Sequence, residues 1–567
     1  VNPSTSRARA VVAEVIAGGV RDVALAPGSR SAPLALAFAA AERAGLIRLH
    51  VRADERSAGY LALGIAKVGG HPAAVVTTSG TAAVNLHPAM VEASYAGVPL
   101  IAITADRPPA LRATGANQTI DQVRLFGDAP RWFAEVDVDD DGAARSIVAR
   151  ALAVAADGAF PGPVHLNVPL DAPLVPDPGD EDWVPHAADR PRVRAIRSPA
   201  GSAPTLDDIL LERADAQRGL IIVGDHGDPA VPDLVRDLSA ATGWPIISEP
   251  TGGCSGVPGA LAYGTFLAGD AAWRARSAPE VVVTVGALGL SRGVADLVTR
   301  AGVHVAVDPR PLSHLADPTR SARIVVDQVP QAHPRRAGAW SDRWSAADAC
   351  AREIASGIDD TDELSGPVVA RAVAAAVGVA DLLVIGSSWP IRHVAAFGGA
   401  LRTRALANRG TSGIDGVVSM AWGAALAHSR ATGGSTVCVL GDLTAVYDRN
   451  GLLAAPGEER PPLTYVVIDN DGGGIFSSLE QGDDRFARDF DRVFGTPHGA
   501  DLAELLVAPG VEVLRATSRE AVVNTLSTSA SGPRIVIAAC ASRARERAVV
   551  TAAQERLTRA LARLDGE

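Results

Sequence analysis

The chain has 567 residues, too many for one hydrophobic core, so three or four domains are expected. Hydrophobic residues make up 47% and charged residues 21%, which excludes a disordered chain, and the net charge of −11 argues against nucleic-acid binding, which needs a basic face. Cys254, Cys350, Cys438 and Cys540 form no C-x-x-C pair, which excludes a disulfide framework or a zinc site and points to a reducing, cytoplasmic setting.

The opening VNPSTSRARAVVAEVIAGGV reads as an amphipathic helix and not as a signal peptide. Short buried strands then alternate with helical stretches. The first block holds RDVALAPG, RLHVRADE, AAVVTTSG, PLIAITADRP and PVHLNVP. The second holds GLIIVGDHG, WPIISEP, EVVVTVGALG and VHVAVDP; the third holds DLLVIGSS, TVCVLGD, LTYVVID and RIVIAAC. No transmembrane segment is expected, because the most apolar stretch, VVARAVAAAVGVADLLVIG, is broken by Arg371 and Asp381. Two Pro/Asp/Arg-rich stretches separate the blocks, the second with a helix of its own. The expected fold is α/β, with three doubly wound parallel-sheet domains at 1–185, 190–345 and 350–567. Ligands in such sheets sit at the carboxyl ends of strands, so the informative residues are those where strands stop.

Lys67 is the only lysine, and AKVGG does not match a P-loop. It reads as a solvated charge at an exposed helix end. Cations that hold substrate are therefore expected to be arginines, which suit bidentate binding of carboxylate or phosphate.

Two strand ends stand out. TVCVLGDLTAVYD stops at Gly441-Asp442, and VVIDNDGGGIF stops at Asp469-Asn470-Asp471, one βαβ spacing later. Adjacent parallel strands would bring Asp442, Asn470 and a carbonyl of the glycine run, assigned to Gly472, to one rim. These are three oxygen ligands for Mg²⁺, with sites left for phosphate and water. Gly472, Gly473 and Gly474 would let backbone N–H groups approach an anion. Taken alone, Gly-Asp after a strand is a common turn with a helix cap.

The pair GDL…DND resembles the diphosphate motif of thiamine-diphosphate enzymes. APGSRSAP, DERSAGYLALGIAK, TSGTAAVNLHPAMVEA, TADRPP, GANQ, NRGTSGIDG, GDLTAVYD and DNDGGGIF are similar to one branch, the 2-succinyl-5-enolpyruvyl-6-hydroxy-3-cyclohexene-1-carboxylate synthases of menaquinone biosynthesis. The resemblance covers the first and third blocks and is thin across the second. It implies a pyrimidine-binding first domain, a diphosphate-binding third domain, and thiamine diphosphate with Mg²⁺, or Mn²⁺ in its place. It also implies a homodimer or homotetramer in which the first block of one chain meets the third block of another.

The same resemblance assigns roles. Glu55 would hydrogen-bond N1′ of the aminopyrimidine and drive loss of the thiazolium C2 proton. On its own it reads as a helix-start carboxylate; beside a cofactor it would be a buried acid with a raised pKa. Ser79, Gly80, Thr81, Gly413, Ile414, Gly441, Gly473, Gly474 and Ile475 would line the cofactor, Ile414 supporting its bend. The implied substrates, 2-oxoglutarate and isochorismate, are dianions. Arg392 and Arg409 would hold the distal carboxylate of the first. Ser29, Arg30, Arg107 and Gln118 would face the second, and Asn117 would bind substrate as well. Arg292, Ser387 and Phe476 complete the substrate set, Arg292 standing where the family often has lysine and Ser387 where some members have asparagine. Asp469 and Asp471 replace the usual asparagines; strand alternation is expected to turn Asp469 away from Asn470.

Rival readings are an acetolactate-type carboligase, whose small donor would not need Arg392 and Arg409, and a degenerate binding subunit, against which Glu55, Asp442 and Asn470 argue. A serine hydrolase is a third, since GLSRG matches a nucleophile elbow at Ser291, with Asp308 and His314 downstream.

Overall fold

The computed structural model describes every residue except 139, 181, 186–192, 194–202, 211–214, 335–337, 360–362, 565 and 567. Much of the first expected inter-domain stretch, with its boundary near 185–190, thus lies outside the described residues. The second stretch does hold a helix, Ala339–Ser356.

Three wholly parallel sheets carry the fold. The first has β1 (Asp22–Leu25), β2 (Arg48–Val51), β3 (Ala73–Thr77), β4 (Leu100–Asp106), β5 (Trp132–Glu135) and β6 (Val164–Pro169), in the order β2-β1-β3-β4-β6-β5. The second has β7 (Gly219–Val223), β8 (Ile246–Ser248), β9 (Val281–Val285), β10 (Val303–Val307) and β11 (Ile324–Val326), ordered β11-β10-β9-β7-β8. The third has β12 (Leu382–Ile385), β13 (Arg404–Leu406), β14 (Thr436–Gly441), β15 (Leu463–Asp469), β16 (Glu512–Ala516) and β17 (Pro533–Ala539), ordered β13-β12-β14-β15-β17-β16.

Strands covered on both faces read as continuous apolar runs, and β4 is buried at every position. The strands that sequence patterning does not single out are β5, β11, β13 and β16. All four are sheet edges. Their half-exposed residues, as in WFAE and EVLRA, leave no such run.

The chain forms two compact units. The first comprises Val1–Pro199, Asn408–Gly433 and Tyr447–Pro461; the second comprises Ala200–Ala407, Gly434–Val446 and Pro462–Glu567. Within the first unit, a helix from the third block of sequence, Val417–Thr432, packs on the helix Glu55–Gly69. The approach is close enough to demand glycine on both sides. A Cβ at Gly64 would lie 2.0 Å from the Met420 carbonyl oxygen, and one at Gly423 would lie 2.0 Å from that of Leu61. Among the described residues, no helix is long and apolar enough to cross a membrane.

Candidate active site

In the second unit, β14 and β15 are adjacent and parallel, with Gly441 opposite Ile468. The residues that follow leave the sheet side by side. Asp442 is 2% exposed. Its Oδ1 accepts the Leu443 N–H at 2.6 Å, and its Oδ2 accepts those of Asn470 at 3.2 Å and Gly472 at 2.8 Å. Burial pushes the Asp442 carboxyl up to about 6, against the opposing pull of the Gly472 and Leu443 N–H groups and of His498.

Asp469 turns away from Asn470, as alternation along the strand requires, but toward Asp442. The register that pairs Gly441 with Ile468 puts Asp469 beside Asp442, and in-register neighbours share a face. His498 Nε2 lies 3.4 Å from Asp469 Oδ1 and 3.5 Å from Asp442 Oδ2. One ligand atom from each of the three residues falls within 4.8 Å of the others. His498 Nδ1 accepts the Ala500 N–H at 3.1 Å, which leaves Nε2 as the protonated nitrogen of the neutral ring. Asp471, at φ 61°, is half exposed and accepts the Gly499 N–H at 3.0 Å.

Alternation carries the Asn470 side chain to the opposite face. Its Nδ2 donates to Glu546 Oε2 at 2.7 Å, and Glu546 Oε1 lies 2.8 Å from His393 Nε2. All three residues are buried. Among the described residues, Asn470 Oδ1 meets no hydrogen-bond partner, and the amide's only such bond runs from Nδ2. Around the two strand ends stand the Asp442 and Asp469 carboxylates with His498 on one face and the Asn470 carboxamide on the other, and the oxygen donors among them are of the type an oxygen-preferring dication takes.

The glycine run is not an open cradle of N–H groups. Gly472 N–H goes to Asp442, Gly473 N–H to the Gly495 carbonyl at 2.7 Å, and Gly474 N–H to the Gly472 carbonyl at 2.8 Å. The absence of side chains serves packing instead: at Gly472, φ 124°, a Cβ would lie 2.2 Å from the Gly495 oxygen. Ile475 and Phe476 are half-buried, the Phe476 ring 5.9 Å from that of Phe494. Gly441 has open space where a Cβ would point.

Also in the second unit, Ser387 is 2% exposed with its Oγ unpartnered, and Arg392 is exposed, donating through Nη1 to the Ser388 carbonyl at 2.8 Å. Arg292 is exposed at the start of a helix. Ser291 caps that helix by accepting the Val294 N–H. Asp308 is gripped by Arg310 and the Ala316 N–H, and His314 is exposed beside Ser313. No nucleophile–base pair forms there, so the hydrolase reading has no geometry behind it.

In the first unit, Arg30 follows β1 and Arg107 follows β4. Burial, then the nearby Arg107 charge, lowers the Arg30 guanidinium below its usual value. Arg30 Nη1 donates to the Leu170 carbonyl at 2.7 Å, yet the Nε atoms of Arg30 and Arg107 are both buried without a hydrogen-bond partner. Two close guanidinium groups with idle donors suit an anion. Ser79 and Gln118 are locked together, Ser79 Oγ to the Gln118 carbonyl and Gln118 Nε2 to the Ser79 carbonyl. Gly80 donates its N–H to buried Gln122 at 2.9 Å. Ser29, Thr81 and Asn117 are exposed. Glu55 opens its helix, capped by Asp54, and is half-buried in this chain, not sealed from solvent.

The segment that carries Arg409, Gly413 and Ile414 is also in the first unit, and one buried carboxylate holds it. Glu92, 0% exposed, accepts the N–H groups of Gly410 at 2.9 Å and Thr411 at 2.7 Å, and the Thr411 hydroxyl at 2.9 Å. Lys67 Nζ lies 3.9 Å from Glu92, and its side chain is only 8% exposed. The single lysine is thus an internal counter-ion, not a solvated charge. Its place at the end of an apolar helix concealed that, because its partner lies on another helix. Further along the segment, the Tyr60 hydroxyl donates to Asp415 Oδ2. Asn408, next to Arg409, has both side-chain polar atoms buried and unpartnered.

Gln122, His393, His498 and Glu546 lie outside every motif quoted above, and Glu92 and Asn408 lie within two of them without a role assigned. What marks them is burial of a polar group, visible only in three dimensions.

Residues 6–125 match the thiamine pyrophosphate enzyme N-terminal TPP binding domain, and residues 394–538 the corresponding C-terminal TPP binding domain. The chain is similar to 2-succinyl-5-enolpyruvyl-6-hydroxy-3-cyclohexene-1-carboxylate synthases along nearly its whole length. Identity is 46% with that of Thermobifida fusca, over 91% of this chain and 92% of the relative. It is 44% with that of Saccharopolyspora erythraea, over 90% and 91%. It is 42% with that of Kineococcus radiotolerans, over 94% and 96%.

Proposed function

The chain belongs to the 2-succinyl-5-enolpyruvyl-6-hydroxy-3-cyclohexene-1-carboxylate synthase family of thiamine-diphosphate enzymes, and on that premise we propose that it decarboxylates 2-oxoglutarate and adds the remaining four-carbon unit to isochorismate in a 1,4-addition, releasing carbon dioxide. The observation that carries the reading is the pair Arg30 and Arg107, beyond the ends of β1 and β4, each with a buried, unpartnered Nε and close enough for one charge to depress the other. A small neutral acceptor would leave those donors idle; a dicarboxylate would use them.

Thiamine diphosphate, when bound, supplies a nucleophilic thiazolium carbon and a sink for the electrons freed with carbon dioxide. Asp442, Asn470 and Gly472 would hold its magnesium, or manganese in its place. Ser79, Gly80, Thr81, Gly413, Ile414, Gly441, Gly473, Gly474 and Ile475 would hold its rings and diphosphate. Glu55 would hold and return a proton at N1′ of the pyrimidine, the work of a general acid–base. Arg392 and Arg409 would bind the distal carboxylate of 2-oxoglutarate. Ser29, Arg30, Arg107 and Gln118 would orient isochorismate, with Asn117, Arg292, Ser387 and Phe476 completing the substrate surface. Glu55 belongs to the first unit and Asp442 to the second. The family resemblance supports a homodimer or homotetramer with active sites between chains, and four free cysteines support a cytoplasmic setting.

The test is product analysis with thiamine diphosphate, Mg²⁺, 2-oxoglutarate and isochorismate, repeated with pyruvate replacing 2-oxoglutarate. The expected result is the 1,4-adduct and one carbon dioxide per turnover from 2-oxoglutarate alone. Equal turnover of pyruvate would instead place the chain among acetolactate-type carboligases.

A further inference from the structure

We propose that Glu546 is a positioning residue that decides which end of the Asn470 carboxamide faces the metal. The inference rests on the reading that Asn470 is a metal ligand. An asparagine offers an oxygen, which can coordinate a cation, and an NH₂ group, which cannot. The two ends are nearly the same size, so sterics alone do not choose between them. Glu546 does choose. Its Oε2 lies 2.7 Å from Asn470 Nδ2, and an ionised carboxylate only accepts hydrogen bonds. Reversing the amide would set Oδ1 against a carboxylate oxygen in a fully buried place, where Glu546 is 0% exposed. The amide is therefore held with Nδ2 inward and Oδ1 as its free end.

Glu546 is itself fixed. It lies in the first turn of the last helix, Arg543–Leu564, and its Oε1 is 2.8 Å from His393 Nε2 on the helix Trp389–Phe397. Gly366 leaves room for this pair: a Cβ there would lie 2.1 Å from Glu546 Oε1 and 2.8 Å from the His393 ring. Two helices and Gly366 thus fix the one carboxylate that holds the amide. Second ligands of this kind orient a metal's direct ligands and add to its affinity.

The test measures Mn²⁺ binding to the full-length chain with thiamine diphosphate present, by the EPR signal of free Mn²⁺. Asn470→Ala examines the underlying reading: if it leaves the Kd unchanged, Asn470 is no ligand and the metal reading itself falls. If Asn470→Ala weakens binding, Glu546→Met is expected to weaken it about tenfold or more, while Glu546→Gln, which keeps an acceptor, stays within about threefold of the parent. In an Asn470→Ala background, Glu546→Met should add nothing further, since residues acting through one contact are not additive. An exchange keeps side-chain size should the methionine variant not fold. Asn470→Asp alone sets two carboxylates together and should weaken Mn²⁺, and adding Glu546→Gln should restore it. Full additivity, or an Asn470→Asp variant indifferent to residue 546, overturns the positioning role and leaves the metal reading standing.

Discussion

Removing the Glu92 carboxylate should loosen the segment that carries Arg409, Gly413 and Ile414 and weaken the fold of the first unit. Glu92 is 0% exposed and accepts two backbone N–H groups and one hydroxyl from Gly410 and Thr411, with Lys67 3.9 Å away. A hydrogen bond to a charged acceptor contributes about 1.5–3 kcal/mol, and donors left unsatisfied in the interior cost about 1–3 kcal/mol each. These terms overlap, so the sum is bounded by what breaking a buried ion pair costs, about 3–5 kcal/mol. Glu92→Ala should lose that much in a urea titration. Glu92→Gln keeps one acceptor oxygen and turns an NH₂ group on the remaining donors, so it should lose about 1–3 kcal/mol. Arg409 adjoins the anchored residues, and the KM for 2-oxoglutarate should rise about tenfold in the alanine variant, the equivalent of roughly 1.4 kcal/mol of binding. A Glu92→Ala variant within about 1 kcal/mol of the parent, with an unchanged KM, would refute the anchoring argument.

Two further outcomes follow from other parts of the molecule. Arg107→Ala should leave carbon dioxide release from 2-oxoglutarate alone at the parental rate and impair only addition to isochorismate, whereas Arg392→Ala should raise the 2-oxoglutarate concentration needed by the equivalent of about 1.5–3 kcal/mol; single-turnover release measured without isochorismate decides, and equal damage by both variants would end the division of labour. His165, buried on β6 with Nε2 2.8 Å from Thr104 Oγ1, is pushed by burial down to about 3. The unfolded chain therefore takes up a proton between pH 6.5 and 3 that the folded chain refuses, so this stability is complete above pH 6.5 and is lost as pH falls, by about 2 kcal/mol at pH 5. Urea midpoints at pH 7 and pH 5 should diverge less in His165→Gln than in the parent, and identical slopes would show that His165 is not responsible.

How far the sequence could be read depended on what each residue answers to. Interior strands of parallel sheets are buried on both faces, so β4 and β15 announce themselves as apolar runs, and the edges β5, β11, β13 and β16 do not. The adjacency of β14 and β15 was legible because one helix fits between their ends. The meeting of Asp469 with Asp442 was not, because alternation sets its face but only the register with Gly441 sets its neighbour. Lys67 was misread for a related reason: a buried lysine is tolerable only with a partner, and Glu92 lies on a helix whose packing no local pattern reveals. Glu546 stands in an arginine-rich helix start, RARER, that resembles a solvated face, and its meeting with Asn470 and His393 is wholly tertiary.

The glycine contact between the helices Glu55–Gly69 and Val417–Thr432 also sets an order of events during synthesis. Gly64 leaves the ribosome about 360 residues before Gly423, its counterpart across the crossing. At roughly 5–20 residues per second, the bare face of the first helix waits on the order of 20 to 70 s for its cover. The chain passes between the two units five times, at Pro199, Ala407, Gly433, Val446 and Pro461, so the first unit is incomplete until residue 461 has emerged. A growing chain of this kind carries an apolar, close-packing surface for most of its synthesis. That exposure makes the nascent first unit, more than the finished protein, the natural client of a chaperone.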